Sequence, residues 1–191
     1  ETTLKEIRQQ HPRQDGHLAS LSELYMGANR LPEAMQSLDA QLALNADNLL
    51  ARFQRGIVCM RLGNFDDAMT CFEFIFKKQP GNLDALLHKA VVQIQTKKYK
   101  DAIAILDDIL RNQPTHRAAL MNRAIASLQA NELTQAQADY ESLEKALPDS
   151  HAVHYGLGTI AWNRKQKPEA IRHYERYLEL IALNQPGTPL S

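Results

Sequence analysis

An all-α fold, built as a stack of antiparallel helix-turn-helix units, is what this sequence predicts, and three observations predict it. The stretch from Leu49 to Asn82 keeps matching its neighbours on both sides when slid by thirty-four residues. Ala34, Ala68, Ala102, Ala136 and Ala170 form one ladder at that spacing, and Pro12, Pro80, Pro114 and Pro148 fit a second. A fixed period of this length marks stacked supersecondary units rather than a closed globular fold. The composition agrees, because 44% hydrophobic content with only 6% aromatic suits a helical array better than a β-sandwich.

Taken in order, residues 1–14 read as the second helix of a preceding repeat, since Leu4, Ile7 and Pro12 fall where Leu38, Gln41 and Ala46 fall one period later. The chain is therefore expected to start inside a repeat of a longer parent. The absence of an initiator Met makes Glu1 a processing or cloning boundary on this reading. Five units follow over 15–182, as 15–48, 49–82, 83–116, 117–150 and 151–182, beginning at Asp15, Leu49, Leu83, Arg117 and His151. Asn48, Asn82 and Ser150 stand before first helices as N-cap candidates, and Asn29, Gly63 and Asn131 stand where a left-handed residue closes a helix. Pro32 and Pro168 occupy the first turn of second helices, where a missing N–H does no harm. The terminal prolines then stop those helices. Ser22, Gly56, Ala90, Ala124 and Gly158 share one register and are expected to face the Ala ladder, so that paired helices approach closely. Leu31, Phe65, Tyr99 and Leu133 plug the turns, and Leu38, Phe72, Leu106, Tyr140 and Tyr174 fill the core. Lys167 breaks the plug pattern and Ala46 lacks the terminal proline, so the end units are less regular than the middle ones. Residues 183–191 read as a tail or the start of a missing cap. The stripe Ile171, Tyr174, Leu178 and Ile181 is then expected to be covered by a second copy or by a helix of the parent chain.

The residues Arg52, Gly56, Cys59, Ala68, Phe72 and Pro80 stand at the offsets of a large residue, a Gly or Ala, an aromatic, an Ala, an aromatic and a Pro. This pattern resembles the tetratricopeptide repeat. The resemblance implies a right-handed solenoid with a concave groove and a role as a protein-binding scaffold. It also assigns the second, fifth, ninth and twelfth positions of each unit to that groove.

Several function classes are excluded on the same reading. Lys+Arg 22 against Asp+Glu 22 cancel, so no long-range field would gather nucleic acid or an anionic membrane. Lys97, Lys98 and Lys100 form a solvated turn. Apolar runs such as Ala102 to Leu106 are far shorter than the ~20 residues of a membrane helix, and nothing resembles a signal peptide, so a soluble protein is expected. Cys59 and Cys71 offer neither a disulfide framework nor a zinc CxxC motif, and reduced thiols suit a cytosolic location. Cys59 is expected in the core, whereas Cys71, one residue before Phe72, is expected to point elsewhere. Gly156, Gly158 and Ala161 spell a dinucleotide fingerprint, but no strand precedes them and they fall inside a first helix. His151 and His154 are read as capping and surface residues, because two imidazoles do not define a metal site. Asp66 and Asp67, like Asp107 and Asp108, are adjacent and diverge on a helix. No enzyme, no cofactor and no metal is expected.

The informative departure lies in the positions that the resemblance assigns to the groove. In the middle three units these include Leu50, Phe53, Ile57 and Met60, then Leu87, Val91 and Ile94 with Asp84, then Met121, Ile125 and Leu128 with Ala118; eleven of the twelve are apolar. The fifth unit adds Tyr155 and Trp162. The Lys, Asn and Arg set with which some members of this family clamp a chaperone's C-terminal carboxylate is missing. A contiguous apolar row of this size marks an interaction site. The expected partner is a protein or peptide with apolar anchors, taken extended or as a helix. The alternatives are a homo-oligomer formed through the groove or the C-terminal stripe, and a recognition arm of a larger enzyme or assembly machine.

Overall fold

The computed structural model describes residues 12–183, and all of the regular structure in them is helical. The expected helix over 1–14 lies outside the described residues except for its last three, and the expected tail 183–191 lies outside them except for Leu183. The helices are α1 (Pro12–Gly27), α2 (Leu31–Leu44), α3 (Leu49–Arg61), α4 (Phe65–Lys78) and α5 (Leu83–Gln95). They continue as α6 (Tyr99–Asn112), α7 (Arg117–Gln129), α8 (Leu133–Ala146), α9 (His151–Asn163) and α10 (Lys167–Leu183). The chain falls into two compact units, one up to Thr96 and one from Lys97.

Local chemistry sets the boundaries. Asn48 and Asn82 cap α3 and α5 by accepting from the backbone N–H of Ala51 (3.1 Å) and Ala85 (2.9 Å). His116 caps α7 in the same way through Nδ1, 3.2 Å from Ala119 N. Ser150 stands at the start of α9 without a side-chain cap bond. First helices end on a residue in the left-handed region: Asn29, Gly63, Lys97, Asn131 and Lys165. Asn29, Gly63, Asn131 and Lys165 are each followed by an N–H that reaches back five residues, as from Asn64 to the Cys59 carbonyl at 2.8 Å.

In the first unit, each of α1 to α5 packs on its neighbour in sequence. The whole of the Ala ladder is buried, and so are Ser22 and Gly56. A core of Cys59, Ala68, Phe72, Ile75, Ala85 and Val92 joins α3, α4 and α5. Cys71 departs from expectation. It is buried, and a Cβ built on Gly56 would lie 3.2 Å from its own Cβ as well as 2.7 Å from Phe72 Cζ. A second helix sits in the angle between two first helices, so two consecutive positions on it can both be covered. Arg55 closes this region, with Nη1 3.5 Å from the Cys71 sulfur and Nε 2.8 Å from Asp39. Burial pushes the Cys59 thiol up to about 11.

In the second unit, α6 to α10 again pack in sequence, with an added contact between α7 and α9. Leu106, Ala124, Ala136, Tyr140, Leu143, Val153 and Ala170 are buried. Gly156 of α9 lies against the Tyr140 ring and Gly158 against Tyr174, which is the packing reason for the two glycines of the apparent dinucleotide fingerprint. Burial raises the Tyr140 phenol to about 12. The adjacent acids diverge as expected: Asp107 bonds Arg123 at 2.6 Å, and Asp108 bonds Arg111 at 2.7 Å.

Candidate functional site

The residues assigned to the groove divide between the two units. In the first, Leu50 is 63% exposed, whereas Phe53, Ile57 and Met60 are half-buried against the core of α3, α4 and α5. Phe53 meets the Phe72 ring edge-on at 5.7 Å and the His88 ring at 4.9 Å. Leu50 and Phe53, with Leu49, Ile75, Asn82 and Asp84, line a hollow of about 280 Å³. Val91 and Ile94 are half-buried on α5, and Leu87 is buried, which places it beneath the surface rather than on it.

In the second unit the same positions build a larger cavity. Met121, Ile125 and Leu128 come from one face of α7, because they are spaced four and three residues apart. Ala152 and Tyr155 approach from α9, Tyr140 from α8, and Tyr177 from α10. Together with Gln129 and His151 they enclose about 370 Å³. Tyr155 is 52% exposed and stands 5.3 Å from the ring of Tyr177 and 6.1 Å from that of Tyr174. Trp162 is 60% exposed and does not line this cavity. The sequence reading missed Tyr140, His151 and Tyr177 as wall residues. Tyr177 had a signal, since it lies three residues after Tyr174 and so shares a helix face with it.

The cavity is apolar and aromatic with few charges at its rim. It suits an apolar side chain delivered by a larger molecule, and it contains no nucleophile paired with a base. On the same α10, Ile171, Leu178 and Leu183 are exposed, while Tyr174 and Ile181 are half-buried.

A separate cluster on α8, α9 and α10 corrects the reading of His154. That residue is 6% exposed and turns away from His151, which instead meets Tyr177 at 6.3 Å between ring centres. His154 Nδ1 lies 3.2 Å from Nδ1 of His173, itself 3% exposed, and 3.6 Å from Glu144 Oε1. Burial holds His173 below the ordinary imidazole range, and the Arg172 guanidinium adds to this. The pairing escaped notice because His173 belongs to the next helix, nineteen residues on.

The helical hairpins, their left-handed closures and the small-residue ladder define a stack of two-helix repeats. The tetratricopeptide repeat family profile matches twice, over residues 60–125 and 121–184. The chain belongs to the tetratricopeptide repeat family. A search of curated proteins by sequence finds no match. Among solved structures, it is similar to MamA 41-end from Desulfovibrio magneticus RS-1, with a TM-score of 0.81 at 20% identity over 91% of this chain and 98% of that one. It is also similar to a tetratricopeptide repeat protein from Parabacteroides merdae, with a TM-score of 0.77 at 17% identity over 90% of this chain and 68% of that one. A third, MamA MSR-1 C2, gives a TM-score of 0.72 at 17% identity over 90% and 98%. The fold is thus an all-α repeat fold of a kind that generally serves as a non-enzymatic protein-interaction scaffold. Among the described residues, no helix is long and apolar enough to cross a membrane.

Proposed function

We propose that the chain is a scaffold or adaptor that takes an apolar anchor of a partner protein, presented as an extended or helical peptide, on the groove faces of its first helices. The observation that carries this reading is the 370 Å³ cavity of the second unit, where Met121, Ile125, Leu128 and Tyr155 converge with Tyr140 and Tyr177. A cavity of this size accepts one or two large side chains, and the aromatic walls supply contact area at low cost in side-chain entropy. In the first unit Leu50, Phe53, Ile57, Met60, Val91 and Ile94 offer a set of apolar contacts of their own with Leu87 beneath them, and in the second Trp162 is a secondary contact.

Selection of peptides from a random display library on the wild-type chain tests this, with Ile125→Lys and Tyr155→Ala as counter-targets. The expected result is a set of peptides sharing a Leu, Phe or Trp anchor whose binding falls by tenfold or more on either variant, while both variants keep the wild-type circular dichroism. A charge at position 125 would have to be desolvated against the anchor. Peptides that bind the variants as well as the wild type would overturn the reading. So would a large loss of stability in Ile125→Lys before any peptide is added, since that outcome makes the row internal packing. Mass measured against concentration accompanies the selection, because Ile171, Leu178 and Leu183 leave an apolar face on α10 that a second copy could cover.

A further inference from the structure

Three ionisable side chains of the fourth and fifth repeats stand in columns that elsewhere hold mostly uncharged residues. Glu144 stands where Leu110, Phe76 and Leu42 stand one, two and three periods earlier. His154 stands where Leu86 and Leu120 stand, and His173 where Cys71 and Ile105 stand. Arg52 and Asp139 put a charged residue in two of the same columns, but the fold brings Glu144, His154 and His173 to one point. Among the described residues these three side chains form the one cluster of its kind, with ligand-capable atoms all within 4.8 Å of one another.

The distances fit an ion. Nδ1 of His154, Nδ1 of His173 and Oε1 of Glu144 are separated by 3.2, 3.6 and 4.0 Å. The point equidistant from them lies in their plane about 2.1 Å from each, within the range of zinc–nitrogen and zinc–carboxylate bonds, and a small inward turn of the part-exposed Glu144 carboxylate makes the site tetrahedral. The outer hydrogen bond of His154 points the same way. His154 Nε2 lies 2.8 Å from the Pro148 carbonyl, which can only accept, so the proton sits on Nε2 and the Nδ1 lone pair faces the cluster. His173 Nε2 lies 3.3 Å from Glu169, a carboxylate that can hold the corresponding proton there. A ligating histidine that donates its other N–H to a carbonyl or carboxylate is the usual support of a metal site. Glu144 is about one-third exposed and borders a hollow of about 500 Å³, so a fourth position is open to water.

We propose that Glu144, His154 and His173 bind one zinc ion, with water as the fourth ligand, clamping α8, α9 and α10 together. Without the ion, Arg172 donates to His173 Nε2, His173 Nδ1–H donates to His154, and His154 donates to Pro148, a chain that satisfies both buried rings. Binding replaces the His–His hydrogen bond by two bonds to metal; the exposed Arg172 swings off His173 Nε2, and the His173 proton moves from Nδ1 to Nε2, where Glu169 accepts it.

The test is titration of the metal-stripped chain with cobalt(II), followed by zinc. The expected result is one equivalent of cobalt giving the visible absorption of a tetrahedral site, without a sulfur-to-cobalt charge-transfer band, and displaced by zinc. Zinc at a hundredfold excess over its dissociation constant should raise the melting temperature by roughly 5–10 °C. Glu144→Gln and His173→Gln should abolish both effects. If His173→Gln fails to fold, Glu144→Gln decides, because its side chain lies at the lip. Equal cobalt uptake by wild type and Glu144→Gln overturns the proposal, as does a charge-transfer band placing the ion on Cys59 or Cys71, or the absence of uptake.

Discussion

Gly56→Ala should destabilise the chain although alanine is the better helix former, and Gly16→Ala should stabilise it. Both glycines lie within helices of the first unit, so both report on the same body. At Gly16 a Cβ meets nothing within 4 Å, leaving only the helix-propensity gain of about 0.5–1 kcal/mol. At Gly56 the Cβ would lie 2.7 and 2.8 Å from two atoms of the Phe72 ring and 3.2 Å from Cys71 Cβ. Phe72 is fully buried, with Phe53 at 5.7 Å and His88 at 5.2 Å between ring centres, so the ring has no free volume to swing into. Overpacking of this kind costs about 1–3 kcal/mol. Set against the propensity gain, it leaves a net loss of about 1 kcal/mol, and the two variants should differ by about 2 kcal/mol. Urea unfolding followed by far-ultraviolet circular dichroism measures both. Adding Phe72→Leu to Gly56→Ala should lose less than the sum of the two single changes, because the clash is shared. If Gly56→Ala is as stable as Gly16→Ala, the close approach of α3 to α4 is not where the small-residue register puts it.

Two further outcomes can be checked. Arg123 spans Asp139, which is almost fully buried, and Asp107, at 2.6 Å each, so Arg123→Ala should cost about 3 kcal/mol by leaving a carboxylate buried and unpaired. The exposed pair Arg30–Glu33 provides the contrast: Arg30→Ala should leave the denaturation midpoint unchanged, and equal effects of the two variants would contradict the burial argument. Stability should also fall in alkali. The Cys59 thiol is raised from 9.0 to about 11 and the Tyr140 phenol from 10.0 to about 12, both chiefly by burial, so the folded state favours the protonated forms. Their contribution is complete below the unfolded values and is lost as pH rises through about 9 to 12. Tyr140→Phe should flatten the upper part of that decline, and an unchanged pH profile would show that the phenol is not desolvated.

The period made the helices legible almost residue by residue. The structure starts α3, α5, α7 and α9 at Leu49, Leu83, Arg117 and His151, because caps and hydrophobic spacing repeat with the unit. Reading down columns of equivalent positions is blind to what different columns bring together. Cys71 was misplaced because second helices are covered from two sides, and His116 was passed over as a cap because imidazole is an uncommon one. Lys97 and Lys165 take the left-handed conformation that elsewhere falls to Asn or Gly, and at Lys165 the hydrogen-bonded closure of the first helix dictates the backbone whatever the side chain. A ladder of ion pairs was also legible in principle. Asp39–Arg55, Glu73–Lys89 and Asp107–Arg123 share one spacing of sixteen residues and recur with the unit, at 2.8, 3.4 and 2.6 Å.

That ladder stops at the fifth repeat, where Leu157 takes the basic position. The break is informative, because a strict repeat specifies only its own stacking, and individuality has to enter where the repeat is violated. In α9 His154 breaks the column of Leu86 and Leu120, while its neighbour Tyr155 keeps the apolar column of Phe53, Leu87 and Met121. Tyr155 turns to the apolar cavity, while His154 turns to Glu144 and His173, as a rotation of about 100° per residue requires. The walls of the cavity, Tyr140, Tyr155 and Tyr177, are carried by the same three helices as Glu144, His154 and His173. Whatever fixes the spacing of those helices on one side therefore fixes the width of the cavity on the other. A groove whose walls are already held in place loses less freedom when a ligand enters, which is the commonest way for a small apolar pocket to gain affinity without gaining area. The aromatic walls and the buried histidines of the last two repeats are thus joined through shared helices rather than through direct contact.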